Sequence, residues 1–169
     1  VGGLIDQNLE AGIAAMDPIA AWSTILGFSV RIYGDFSGYS DMAIGFAILM
    51  GIYIPANFNY PYAATSLTDF WHRWHISLST WFKDYVYIPL GGSKHGIVLG
   101  SVVVMIVFTV SGLWHGADWH FVIWGGIHGL ILIAERFGRR LNISLPPLLG
   151  WLLTFITVAL AWCFFFLSS

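Results

Sequence analysis

The chain has 169 residues, of which 57% are hydrophobic and only 9% are charged, and its mean hydropathy is +0.75. Ordinary soluble domains carry about 25% charged residues, so this composition excludes a water-soluble globule and predicts an integral membrane protein. The net charge of −2 without a basic run argues against nucleic acid as a partner, and the single Cys163 excludes an intramolecular disulfide.

The first predicted helix begins at Pro18, because Asp17 can act as its N-cap and proline is favoured at the first helical position. The chain is then apolar over residues 19–33 and 42–54, with a polar stretch between them. Each half is short of the ~20 residues that cross a bilayer. We therefore expect either two helices joined at a polar break or one long broken helix.

An amphipathic helix is predicted after the loop at 55–64. Residues 66–69, Ser-Leu-Thr-Asp, resemble a capping box that opens it. The apolar residues that follow share one face at a period of 3.6: Leu67, Phe70, Trp71, Trp74, Leu78, Trp81 and Phe82. The aromatic face with charges opposite predicts an interfacial or re-entrant helix. His75 lies at the border of this face and His72 on the polar side, so His75 is the better candidate to face the interior.

Two strongly apolar stretches, 97–110 and 121–134, flank a polar turn at 111–119 and predict a helical hairpin. A last span is predicted from Leu148 to Leu167, after two prolines. The expected fold is therefore all-α: a polytopic transmembrane helical bundle with one interfacial or re-entrant amphipathic helix.

The basic residues of the hairpin predict its orientation. Lys83 and Lys94 precede the first span, and three arginines at 136–140 follow the second. The positive-inside rule then places both ends in the cytoplasm. His115, in the turn, is expected toward the outer side.

His115 is the first candidate for chemistry, because ionisable side chains at membrane depth mark functional sites. Gly112 and Gly116 permit close backbone approach, and Trp114 and Trp119 can wall an amphipathic pocket. A neutral imidazole, with an ordinary pKa of about 6.5, can act as a general base. The alternative is a structural histidine that donates to a backbone carbonyl.

A metal site is a second alternative for the histidines. His75, His115 and either His128 or His120 offer three nitrogen ligands. The sequence has no His-Glu-x-x-His motif or comparable cluster, so no metal is predicted.

Five motifs resemble, in order and spacing, those of the membrane-bound O-acyltransferases, in the branch of the bacterial alginate O-acetyltransferases, with the D-alanyl transferases of teichoic acid as relatives. They are Asp35–Asp41, Asn57–Tyr62, Phe70–Ser79, Tyr87–Gly92 and Ser111–Gly116. The resemblance covers about residues 30–135. It implies a multi-helix membrane enzyme with a central channel, in which an acyl group from a cytoplasmic thioester reaches a hydroxyl on the other side.

The resemblance also implies roles for individual residues. His115 matches the histidine of the family's Trp-His-Gly motif and is the expected catalytic residue, and His75 matches that of its Arg-Trp-His motif. We expect His115 to take the proton of the attacking hydroxyl, while His75 donates to or orients the thioester carbonyl. Trp114, Trp74 and Trp71 are the candidate substrate-binding residues.

The expected function is O-acetylation of an extracellular or periplasmic, alginate-like polysaccharide. Acetyl-CoA or another acyl thioester would be the donor, without a bound cofactor. The expected partners are the lipid bilayer, the polysaccharide acceptor and periplasmic acetyltransferase proteins, at the bacterial inner membrane. Residues 1–169 would form part of one membrane-embedded acyltransferase domain whose further helices lie outside this chain. The alternative is a transporter or channel in which the same polar residues line a solute path.

Overall fold

A computed structural model describes Gly3 and residues 16–94 and 96–166 of the chain. Over these ranges the backbone forms helices, turns and loops, and it contains no β-strand. This confirms the all-α prediction for the part of the chain that is described. The chain divides into two compact units, residues 1–56 and 57–169.

In the described part of the first unit, a long helix, α1, spans Pro18–Leu49. Its predicted start is confirmed, since the Asp17 carboxylate accepts the backbone N–H of Ala20 at 2.8 Å. The expected break at the polar stretch does not occur, and the helix runs through it for 32 residues. No proline interrupts this stretch, so the backbone hydrogen-bond ladder can continue whatever the polarity of the side chains.

The second unit opens with one turn of 3₁₀-helix at Pro61–Ala63. Two short α-helices follow, α2 over Leu67–Arg73 and α3 over Ile76–Phe82, and then one turn of π-helix at Lys83–Tyr87. The Ser66 hydroxyl accepts the backbone N–H of Asp69 at 3.0 Å, which confirms the predicted cap. The prediction of one continuous amphipathic helix is wrong, because the chain breaks at Trp74 and His75.

Hydrogen bonds from the preceding loop accompany this break. The backbone N–H of Ile76 donates to the Asn57 carbonyl at 2.9 Å, and that of Asn59 donates to the Arg73 carbonyl at 2.9 Å. Polar backbone groups freed from a helix must find other partners. The loop at 57–59 supplies them, so the break is held by tertiary contacts that helical periodicity does not reveal.

The predicted hairpin is confirmed as α4, Gly96–His115, and α5, Trp119–Arg140. Two further helices follow, α6 over Pro147–Ala161 and α7 over Cys163–Phe166. Within the described ranges, three helical segments are long and apolar enough to cross a membrane: Gly96–His115, Trp119–Arg140 and Pro147–Phe165. These segments fit a membrane environment.

Glycines allow α4 and α5 to pack closely. A Cβ atom at Gly112 would collide with the carbonyl oxygen of Phe121, and one at Gly125 with that of Phe108. Small residues at such crossings let helix backbones approach in the absence of a hydrophobic force between helices in lipid. The close contact between α4 and α5 therefore fixes the position of the polar end of the hairpin.

Glu135, near the end of α5, fixes the start of α2. Its Oε1 accepts the backbone N–H of Leu67 at 2.6 Å, and its Oε2 accepts the backbone N–H and the hydroxyl of Thr68 at 3.0 and 2.6 Å. A carboxylate at a helix N-terminus satisfies amide groups that lack a helical acceptor and interacts favourably with the helix dipole. The short helices are thereby anchored to the hairpin.

Candidate functional site

His115 is the last residue of α4 and is half-buried in an aromatic cluster. Its ring centroid lies 5.1 Å from that of Trp114, 5.3 Å from that of Trp124 and 5.2 Å from that of Phe165. Edge contacts of this kind fix ring orientation at centroid separations of 4.5–7 Å. The polar turn thus holds His115 at the end of the hairpin, with its ring enclosed on several sides.

His75, at the break between α2 and α3, lies near His115. The ring of Trp114 contacts both histidines, with its centroid 6.5 Å from that of His75 and 5.1 Å from that of His115. Burial, together with a smaller effect of the neighbouring His115, lowers the pKa of His75 to about 4. His75 is therefore a neutral imidazole near pH 7, and the two motif histidines share one site.

Two polar residues surround the Nδ1 atom of His75. The Oδ1 atom of Asn57 lies 3.3 Å from it, and the hydroxyl of Ser77 lies 3.4 Å from it. Asn57 Oδ1 also accepts the backbone N–H of Ser77 at 3.1 Å and its hydroxyl at 2.9 Å. Asn57 belongs to one of the five motifs, but no local pattern connects it with His75, 18 positions away.

The three candidate substrate-binding tryptophans occupy different environments. Trp114 is 61% exposed and lies beside both histidines. Trp74 is only 4% exposed and packs against Phe58 and Trp162, each at a centroid distance of 5.0 Å. Trp71 packs against the hairpin, including Trp124 at 5.7 Å. Of the three, Trp114 is exposed and makes ring contacts with both His75 and His115.

The other histidines of the metal alternative are engaged elsewhere. The Nδ1 atom of the fully buried His128 lies 3.0 Å from the carbonyl oxygen of Trp124. His120 Nδ1 lies 2.8 Å from a carboxylate oxygen of Asp118. The backbone N–H of His120, which bonds to the same carboxylate, lowers the pKa of Asp118. Among the described residues, no three His, Cys, Asp or Glu side chains form a group that could hold a metal ion.

A partly open cavity of about 280 Å³ lies between α2, α3 and α4. Apolar side chains such as Leu78, Val107 and Phe108 line it, together with Trp71 and Lys83. The exposed His72 also contacts this space. A cavity of this size and character has room for a small apolar group next to a cation, but it does not include His75 or His115 among its lining residues.

Comparisons with known proteins agree with the five motifs. Residues 5–169 match the model of the MBOAT, membrane-bound O-acyltransferase family. The "Peptidoglycan O-acetyltransferase" of Helicobacter pylori is 46% identical over 151 residues, which cover 87% of this chain and 29% of that protein. The "Probable alginate O-acetylase AlgI" of Pseudomonas aeruginosa is 44% identical over 149 residues, covering 86% of this chain and 28% of the relative.

The "Teichoic acid D-alanyltransferase" of Bacillus subtilis is more distant. It is 33% identical over 123 residues, which cover 69% of this chain and 31% of that protein. This chain thus spans less than a third of the length of each of these three relatives. With the family match extending over residues 5–169 and the motif histidines meeting at one site, the chain belongs to the membrane-bound O-acyltransferase family.

Proposed function

We propose that the protein to which this chain belongs transfers an acyl group, most simply acetyl, from a thioester to a hydroxyl group. The observation that carries the proposal is the meeting of His75, at the break between α2 and α3, and His115, at the end of α4, which share contact with Trp114. A neutral imidazole in a partly buried site is the kind of group that removes a proton from a hydroxyl near neutral pH.

In the proposed reaction His115 takes the proton of the attacking hydroxyl. The hydroxyl oxygen forms a bond to the thioester carbonyl carbon, the carbon–sulfur bond breaks, and the thiolate leaves. The proton held by His115 then passes to the thiolate or to solvent. General base catalysis of this kind contributes roughly 10²–10⁴ in rate. His75 supplies the second imidazole of the site, and Trp114 is placed to contact a substrate there.

The names of the relatives support the proposed acceptor. One is named for peptidoglycan and another for alginate, so we propose an extracellular or periplasmic polysaccharide as acceptor. The donor would be acetyl-CoA or another acyl thioester on the cytoplasmic side, with no bound cofactor. Periplasmic acetyltransferase proteins are proposed as partners, and the bacterial inner membrane as the location.

The alternative of a transporter or channel gains no support from these relatives, whose names are those of acyl-transferring enzymes. The two functions differ in their need for a thioester. Membranes that contain the complete protein should transfer label from radioactive acetyl-CoA to polysaccharide, and membranes with His115→Gln should not. Solute flux without acyl transfer would favour the transporter and overturn the proposal.

A further inference from the structure

The hydrogen bonds around Asn57 determine which nitrogen of His75 carries the proton. A side-chain amide has an oxygen that accepts and a nitrogen that donates, and the two are distinguished by their partners. The backbone N–H of Ser77 can only donate, and it points to the Asn57 atom at 3.1 Å. That atom must therefore be the amide oxygen. A second donor, the Ser77 hydroxyl at 2.9 Å, supports the same assignment.

The His75 atom that faces this oxygen must then be a donor. Nδ1 of His75 lies 3.3 Å from Asn57 Oδ1, so a favourable contact requires a proton on Nδ1. A neutral imidazole carries only one ring proton. With that proton on Nδ1, the lone pair lies on Nε2, and His75 can accept a hydrogen bond there but cannot donate one.

The backbone holds the ring in this arrangement. His75 has φ 44° and ψ 54°, in the left-handed region that non-glycine residues rarely adopt. Asn57 secures the break twice, through its carbonyl to the N–H of Ile76 at 2.9 Å and through its side chain to Nδ1. Such conformations persist where the surroundings over-determine them, and they cluster at active sites.

We propose that Asn57 is a positioning residue that keeps His75 in the Nδ1–H tautomer, so that its Nε2 enters the reaction as a hydrogen-bond acceptor. The catalytic consequence of this inference rests on the proposed function, whereas the assignment of the tautomer does not. It revises the role expected from the sequence, because a neutral His75 in this state has no proton to give to the thioester carbonyl. Nε2 accepts a hydrogen bond from the reacting groups instead.

The charges around His75 define what a substitution of Asn57 should do. His115, at the end of α4, is a titratable group whose charge acts on His75. Asn57, Ser77 and Trp114, which also contact the ring, are uncharged. Asn57→Asp would place a carboxylate next to Nδ1 and favour the protonated imidazole.

The first test is spectroscopic and needs no turnover. The complete protein, labelled with ¹⁵N in its histidine rings, is examined by NMR near pH 7, and the His75 signals are assigned by their loss in His75→Gln. We expect a protonated Nδ1 and an unprotonated Nε2, with a mixture of tautomers in Asn57→Ala. A proton on Nε2 in the parent protein, or the same single tautomer in Asn57→Ala, would overturn the proposal.

The second test uses the pH dependence of acetyl transfer. Asn57→Ala should lower the rate about 10- to 100-fold, the range seen when hydrogen-bond partners that orient metal-binding histidines are removed. Asn57→Asp should keep the tautomer, retain more activity than Asn57→Ala, and move the acidic limb of the pH profile to higher pH. Asn59→Asp is the matched control, because Asn59 is in the same loop with an exposed side chain, and its profile should match the parent profile.

The results separate the two proposals. If the complete protein transfers no acyl group but His75 carries its proton on Nδ1 in an Asn57-dependent manner, the proposed function fails and the role of Asn57 in setting the tautomer stands. If transfer occurs but Asn57→Asp leaves the pH profile unchanged, the function stands and the positioning role is wrong. Ser77→Ala, which removes one donor from Asn57, provides a milder variant should Asn57→Ala not fold.

Discussion

At the scale of single residues, His75 combines an unusual backbone conformation with a partly buried ring. A left-handed conformation costs a non-glycine residue roughly 1–2 kcal/mol, and burial of an imidazole opposes its protonation. Both costs arise at the residue that meets His115 and Trp114. Because sparsely populated backbone conformations cluster at active sites, the left-handed conformation supports a role for His75 in the site.

Substitution of single histidines should distinguish those of the proposed site from a histidine outside it. In the complete protein, His115→Gln should reduce acetyl transfer to background, because it removes the proposed base and the Asp118 carboxylate, whose pKa is lowered, is too weak a base to replace it. His75→Gln should impair turnover by an equal or smaller factor. His72→Gln is the matched control in the same helical region, and its exposed side chain predicts a mild effect. The measurement is transfer of labelled acetyl groups, with expression and membrane insertion checked for each variant.

The opposite ranking would contradict this assignment. If His115→Gln transferred acetyl groups as fast as the parent protein, His115 would not be the base. Loss of activity in His72→Gln, with normal insertion, would instead point to the cavity that His72 contacts.

The depressed pKa of His75 also predicts a pH dependence of stability. In the unfolded chain a histidine has a pKa of about 6.5, whereas that of His75 in the folded state is about 4. Between these values the unfolded state binds more protons, so stability rises with pH and is lost as the pH falls from 6.5 toward 4. Unfolding measured across this range should show a smaller slope in His75→Gln than in the parent protein. An equal slope would mean that His75 is protonated in the folded state.

At the scale of elements, the anchoring of α2 depends on one carboxylate. Glu135→Ala removes the acceptor for the N–H groups of Leu67 and Thr68, and hydrogen bonds to charged groups are worth about 1.5–3 kcal/mol each. For these two hydrogen bonds together we expect a loss of roughly 3–6 kcal/mol in the free energy of unfolding. Asp84→Ala is the control, because its contact with Lys83 is an exposed ion pair at 3.5 Å. If denaturation shows similar losses for both variants, Glu135 does not anchor the helix.

The close approach of α4 and α5 gives a second prediction at this scale. Gly125→Ala would force the new methyl group against the Phe108 carbonyl and should destabilise the protein by about 1–3 kcal/mol, as overpacking does. At the neighbouring Gly126, no heavy atom lies within 4 Å of the position that a new methyl group would take. Gly126→Ala should therefore be neutral or slightly stabilising in the same unfolding measurement. A harmless Gly125→Ala would show that the two helices are not in close contact.

At the scale of the whole molecule, the orientation of the hairpin can be tested by chemical labelling. With Cys163 replaced by Ser, Ala117→Cys should react with an impermeant thiol reagent from outside the cell. Gly138→Cys should react only from the cytoplasm, because the basic residues near it are expected to remain inside. Reaction of both cysteines from the same side would refute the hairpin topology and the outward position of His115.

Much of this architecture follows from local sequence. Capping residues determine where the helices at Pro18 and Leu67 begin. Two apolar stretches on either side of a polar turn determine the hairpin. Capping and hydrophobic length act over a few neighbouring residues, so they can be interpreted without knowledge of the fold. His115 and His75 were likewise identified from motifs and from their position in these elements.

Other features depend on contacts between residues far apart in the sequence, and these appear only in the folded chain. Periodicity predicted one helix through Trp74 and His75, but Asn57 and Asn59 provide the hydrogen bonds that make a break possible. Trp74 belongs to the same aromatic face as its neighbours in sequence, yet it packs against Trp162 and is buried, whereas Trp114 stays exposed beside the two histidines. The same loop fixes the proton of His75 through a contact between residues 18 positions apart, and no local pattern encodes a hydrogen bond formed only when the chain folds.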